Sequence, residues 1–320
     1  MRGFSSLVGT ALAMPSTLVS AHPRPHGHGG SHWLRPYNSN WDSVQSSGGP
    51  VSSATATPSA SYIPLTSVAP TASSSAVSSA SPVGVLLPLY TGPGENGDAW
   101  KPVYNAITSH SMVPFYVIIN PDSGPGTTEE YIQAITKLKS SPNVQLLGYV
   151  PTTYAEKPNA EIEKVISTYG NWASYTANNI TLSGMFFDEA PNTNDNAKIK
   201  YMQNIAQSAR SKNMNTVVFN PGAKLEDAAA AQYFEAADFI VEFEKDYTEW
   251  QSESTEEKFS TTQYRSKDAV IVKQTPEDAD IAAIVRDASN LGIGAVYLTH
   301  DGDYMRLDSV SKVALALAQA

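Results

Sequence analysis

From residue 83 onward, short runs of β-branched, aromatic and aliphatic residues alternate with longer stretches in which apolar residues recur every three or four positions. The first kind of run suits a strand buried on both faces; the second suits an amphipathic helix. Eight strands are predicted: VGVLLPLY (83–90), PFYVIIN (114–120), VQLLGYV (144–150), LSGMFFDE (182–189), TVVFN (216–220), DFIVEFE (238–244), AVIVKQ (269–274) and GAVYLTH (294–300). Between them, TEEYIQAITKLKSS puts Tyr131, Ile135 and Leu138 on one stripe, with acids in the first turn and lysines in the last. NDNAKIKYMQNIAQSARSKN and DADIAAIVRDASNLG read the same way, the second stopping at Gly292 as a C-cap. The text from Glu249 to Lys267 is polar and predicts a loop with one turn of helix. Eight consecutive β/α units close most economically into an α/β fold of the (β/α)8 TIM-barrel type. Eight such units in one domain favour the closed barrel over an open doubly wound sheet.

Composition sets the boundaries of that barrel. Ser43 to Gly94 contains no charged residue, and most of it is Ser, Ala, Thr, Pro and Val. Such text buries too little apolar surface to offset the entropy of ordering, so a disordered linker is expected over 22–82 and the barrel over 83–320. The first 21 residues combine a basic start, a mildly apolar stretch and small residues before His22, the pattern of a cleaved signal peptide. Secretion is therefore expected, extracellular or at the cell wall, with no membrane association after cleavage. Ser and Thr in the linker and the sequon at Asn179 are expected sugar acceptors. The chain has no cysteine, which a barrel of this size tolerates because its core is large enough without staples.

Charge then narrows the partners. The first 82 residues hold three of the 21 Lys/Arg and one of the 31 acids, leaving 18 basic against 30 acidic side chains in the barrel, a net of −12. Phosphate backbones would be repelled, so nucleic acid is excluded as a partner and a neutral or cationic substrate is compatible. His22, His26, His28 and His32 cluster loosely after the leader without a scaffold to shape them. No metal site or cofactor is expected, and a monomer is the default.

In a (β/α)8 barrel the working residues sit where strands end and loops begin. Those positions read Tyr90, Asn120, Tyr149, Asp188 with Glu189, Asn220, Glu242 with Glu244, Lys273 with Gln274, and Thr299 with His300 and Asp301. Nearly all can ionise or hydrogen-bond, whereas the strand starts are mostly apolar or small. Strand alternation places Glu242 and Glu244 on one face, and the bend towards Pro191 is needed for Asp188 and Glu189 to reach the same cup. Grouped carboxylates with Asn and Tyr around them suit glycoside hydrolysis, where one acid protonates the leaving oxygen and a carboxylate meets the positive charge on the sugar ring. Trp100 and the tyrosines are candidate stacking surfaces for sugar. Two other uses of the acids stay open: binding a polysaccharide without cutting it, as a wall or spore-coat protein would, and metal-dependent deacetylation, for which no HExxH-type spacing is present.

Seven motifs in order, LLPLY, IINPDSGPG, LLGYVPTTY, GMFFDEAPN, VVFNPG, DFIVEFEKDY and VYLTHDGDY, resemble the spherulin-4-like family of Sph3-type fungal glycoside hydrolases, over about residues 83–318. The resemblance implies a (β/α)8 hydrolase that cleaves α-1,4-linked N-acetylgalactosamine internally in galactosaminogalactan. It also implies that Asp188, Glu189 and Glu244 are the catalytic acids. Our expectation is that Glu189 and Glu244 serve as acid/base and nucleophile while Asp188 binds the sugar or tunes its neighbour, with a substrate-assisted route through the N-acetyl group, oriented by Asp188, as the open alternative. Tyr90, Asn120, Tyr149, Thr152, Asn220, Glu242 and Thr299 are the expected substrate contacts. Glu242 stands where the family usually has an aliphatic residue, and His300 where it often has Asp.

Overall fold

The computed structural model describes residues 82–126, 129–174, 178 and 180–320. The expected leader, almost all of the linker with its histidines, and Asn179 lie outside them. Eight strands, β1 (Gly84–Leu89), β2 (Phe115–Ile119), β3 (Val144–Pro151), β4 (Gly184–Asp188), β5 (Thr216–Phe219), β6 (Phe239–Asp246), β7 (Asp268–Lys273) and β8 (Ala295–Leu298), form a closed barrel in sequence order. Every pairing is parallel, and β8 closes onto β1 through Gly84–Ala295 and Val85–Val296. The strands are near-continuous apolar runs because one face fills the barrel and the other meets the helices. Leu86, Leu87, Phe115, Phe186, Phe187, Phe219 and Phe243 are all fully buried.

The helices α1 (Lys101–Ser109), α2 (Glu129–Lys139), α3 (Asn159–Asn171), α4 (Asn196–Ser211), α5 (Asp227–Ala236), α6 (Tyr247–Ser252), α7 (Thr255–Lys258), α8 (Ile281–Asn290) and α9 (Val310–Gln319) lie between and after the strands. On α2 the buried stripe is Ile132, Ala134, Ile135 and Leu138, so its axis sits one residue beyond the expected one. Tyr131 is half-buried at its edge, with its ring against Trp100. The α4 helix starts on Asp195, whose carboxylate accepts from the N–H groups of Ala197 and Lys198. Gly292 follows α8 at φ +79°, where a side chain would be strained.

Two departures from regularity matter for the site. The polar text after β6 forms two short helices rather than one turn. Each has its own capping box, Asp246 with Glu249 and Ser254 with Glu257. Within β6 the register against β7 slips between Val241 and Phe243, which pair with the adjacent Ala269 and Val270. Adjacent residues face opposite ways, so Val241 and Phe243 do too. Period-two alternation therefore fails across Glu242.

Candidate active site

The run Gly184–Asp188 is buried for four residues, after which Asp188 is half-buried and Glu189 exposed. Glu189 has φ +50°, a left-handed conformation that costs a side-chain-bearing residue about 1–2 kcal/mol. The surrounding backbone imposes it. Thr152 Oγ1 and the Tyr154 N–H donate to the Glu189 carbonyl at 2.8 and 2.6 Å, and the Thr152 N–H donates to the Asp188 carbonyl at 2.8 Å. On the other side, Ala190 N–H donates to the Asn220 carbonyl at 2.9 Å. The kink thus occurs between the ends of β3 and β5, and it brings two neighbouring acids into one cluster. The charges of Glu189, Asp188 and Glu244 all act on the hydroxyls of Tyr149 and Tyr154.

Asn220, at the end of β5, joins the acids of β4 and β6. Its Nδ2 donates to Asp188 Oδ1 at 2.8 Å and to Glu244 Oε2 at 2.6 Å, which puts these carboxylate oxygens within two hydrogen-bond lengths of each other. The amide cannot turn over, because its Oδ1 accepts from the Gly222 N–H at 3.0 Å. Tyr149 completes Asp188 with a 2.7 Å bond to Oδ2. Glu244 accepts from Tyr304 at 2.5 Å and has Lys273 Nζ at 3.9 Å, both on Oε1. Every one of these contacts to Glu244 is from a donor, as a carboxylate requires.

Burial and the charge of Glu244 push the Asp188 carboxyl up to about 6, against the hydrogen bonds from Tyr149, the Glu189 backbone and Asn220. Two like charges held by one amide cannot both ionise cheaply. The hydroxyls of Tyr90, Tyr149 and Tyr304 are all raised, first by burial and then by the neighbouring carboxylates, so they remain donors. Tyr90 has no charge to hold but packs edge-on against both others, with ring centres at 5.5 Å from Tyr149 and 5.3 Å from Tyr304. It props the two hydroxyls that meet the acids.

The structure gathers Tyr90, Tyr149, Asp188, Glu189, Asn220 and Glu244 around this cup, with Thr152 buried behind it. Three other expected contacts have their side chains committed elsewhere. Asn120 Oδ1 accepts from the Gly124 N–H at 3.1 Å and closes its own loop. The buried Thr299 hydroxyl donates to Asp301 Oδ1 at 2.6 Å. Glu242 departs most from expectation: the bulge turns it away from Glu244, and its carboxylate accepts from the N–H groups of Leu225 at 2.8 Å and Ser260 at 3.1 Å. With 1% exposure it is an internal tie between loops. Its charge, after burial, raises nearby Asp268 to about 9, while Arg265 opposes the shift. Trp100 is also internal, fully buried with its indole N–H on the Thr91 carbonyl.

Tyr304 is the member that strand ends do not reveal. It lies beyond β8 at φ +63°, in a turn built by Asp301. That carboxylate accepts from the N–H groups of Tyr304, Met305 and Arg306 at 3.2, 2.9 and 2.8 Å. The pattern of an acid followed by a glycine, DGDY, is the signal that could have marked the turn. Glu277 from the loop after β7 converges with His300 and Asp308 from the loop after β8, their ligand atoms within 4.8 Å of one another. The Arg306 guanidinium bonds to Glu277 and Asp308, each at 2.5 Å, and already supplies positive charge to both acids.

A closed parallel barrel whose C-terminal mouth holds carboxylates bridged by an amide and flanked by tyrosine donors defines a (β/α)8 TIM-barrel protein with an acidic site where the strands end. Residues 84–317 match the family described as Spherulin4, spherulation-specific family 4, and the chain belongs to that family. It is 30% identical over 232 residues to spherulin-4 of Physarum polycephalum, an alignment covering 68% of this chain and 63% of that protein. The chain therefore spans less than two thirds of this relative's length. The crystal structure of Aspergillus clavatus Sph3 in complex with GalNAc aligns with a TM-score of 0.63 at 29% identity, over 74% of this chain and 98% of that one.

Proposed function

We propose that the protein is a secreted, endo-acting glycoside hydrolase that cleaves α-1,4-linked N-acetylgalactosamine in a galactosaminogalactan-type polysaccharide. The observation that carries this reading is the Asp188–Asn220–Glu244 bridge with Glu189 beside it. The similarity to Sph3, a protein crystallised with GalNAc, supports the sugar class. The acidic barrel suits a neutral or partly cationic amino-sugar chain.

The roles follow from the partners. Glu244, bonded to Asn220 and Tyr304, is the carboxylate that meets the charge developing at the anomeric carbon. Glu189 is exposed, and its carboxylate accepts no hydrogen bond among the described residues, so it is free to bring a proton to the glycosidic oxygen as the C–O bond breaks. The same group then takes a proton from the water that completes hydrolysis. Asp188 adds a second acid against Glu244 and orients the sugar.

Incubation of the purified protein with acetylated and partly deacetylated galactosaminogalactan should release reducing ends. Glu244→Gln should lower kcat roughly 10²–10⁴-fold with the fold retained. A polymer that is bound but never cut would identify a binding protein instead, and loss of product release on chelation would point to metal-dependent chemistry. Activity of Glu244→Gln equal to wild type would remove Glu244 from the mechanism.

A further inference from the structure

Tyr154 is unusual in three independent ways. It is 49% exposed, and it is the aromatic one among the exposed large apolar side chains of the described residues, the others being Met112, Met305 and Leu315. It occupies the middle of three consecutive residues with positive φ, Thr153 at +52°, Tyr154 at +53° and Ala155 at +65°. None is glycine, so the turn is strained throughout. Its hydroxyl also lies in the field of all three cup carboxylates, with Glu189 contributing most among them.

A surface loop with no other task would relax such a turn and fold the ring away from water. Here the turn is tied to the active site itself. The Tyr154 N–H donates to the Glu189 carbonyl at 2.6 Å, so one hydrogen bond fixes both the acid's kink and the ring's position. Met305, the other exposed apolar side chain at this end of the barrel, follows Tyr304 in the loop after β8. In a closed barrel of eight strands in sequence order, β8 stands opposite β4, whereas the Tyr154 loop leaves β3 beside β4. The two loops therefore rise from nearly opposite sides of the barrel mouth, as the supports of a chain running across it would.

We propose that Tyr154 is the stacking platform of a sugar subsite on the Glu189 side of the carboxylates, taking the apolar face of a pyranose ring of the bound chain. This rests on the glycosidase reading above. It makes Tyr154 a binding residue that grips the polymer one or more units from the bond being cut. The platform is held in place before substrate arrives, so its contact is made equally in the ground and transition states.

The test uses the full chain carrying Glu244→Gln, so that the polymer persists, and affinity electrophoresis in gels containing partly N-acetylated α-1,4-galactosamine polymer. Adding Tyr154→Ala should weaken retardation by roughly 3–10-fold in apparent Kd, the range of an aromatic contact, while Tyr154→Phe should bind as the parent does. Tyr154→Gly, which takes φ +53° without strain, should lose as much affinity as Tyr154→Ala. In the otherwise wild-type enzyme, Tyr154→Ala should raise KM by the same factor and leave kcat unchanged. A retarded parent with equally retarded Tyr154→Ala would overturn the subsite alone, as would a loss in Ala that Gly restores. A parent that the polymer does not retard, together with a wild type that releases no reducing ends, would overturn the functional reading and the subsite with it.

Discussion

Replacing Asp188 with Asn should make the protein more stable and less active, and the gain should depend on pH. The Asp188 carboxyl is raised from 3.8 to about 6, first by burial and then by Glu244. The folded chain therefore keeps a proton that the unfolded chain releases between those values, and wild-type stability falls as pH rises through that window. A rise of that size corresponds to at most about 3 kcal/mol. Asn removes the charge while preserving the bonding: its Oδ1 can accept from Asn220, and its Nδ2 can donate to Tyr149, whose hydroxyl rotates from donor to acceptor. A gain of about 2 kcal/mol would raise Tm by roughly 4–8 °C for a domain of this size. Thermal unfolding of both proteins between pH 3.5 and 8 should give matching Tm values near pH 3.5, curves that diverge from pH 4 to 6, and a constant gap above. A variant less stable than wild type at pH 7.5, or a gap independent of pH, would refute the reasoning.

Tyr304→Phe should lower kcat on the polymer roughly 10–100-fold, the value of one hydrogen bond to a charged group. Steady-state kinetics check this, and Tm should fall by only a few degrees because the ring contact with Tyr90 is kept. Gly184→Ala should fail to give a stable barrel: its Cβ would lie 1.8 Å from the Thr216 carbonyl oxygen, where β4 and β5 meet. Gly302→Ala, whose Cβ would have its nearest neighbour at an ordinary 3.7 Å, should unfold in urea at the wild-type midpoint.

Much of the fold was legible because a parallel barrel writes itself in local text. Each strand of the barrel is a run with two buried faces, each main helix is a stripe, and the observed strand ends fall within about two residues of the expected ones. Position at a strand's end was also enough to single out Tyr90, Tyr149, Asp188, Asn220 and Glu244, since topology brings all eight ends to one mouth. The same rule pointed to Asn120 and Thr299, whose type and position are right. It cannot show that Gly124 and Asp301 already occupy their side chains.

What the sequence determined was therefore the list of acids and the face of the barrel on which they stand. Only the tertiary structure decided which of them meet. Glu242 and Glu244 are equivalent in text, two residues apart in a strand, yet a one-residue slip against β7 buries the first between loops and leaves the second on Asn220. Tyr304 is 60 residues from Glu244 and reaches it through a turn shaped by Asp301. Periodicity records what each residue does within its own element. A bulge is set by the neighbouring strand, and a hydrogen bond across the barrel is set by closure, so neither leaves a local mark.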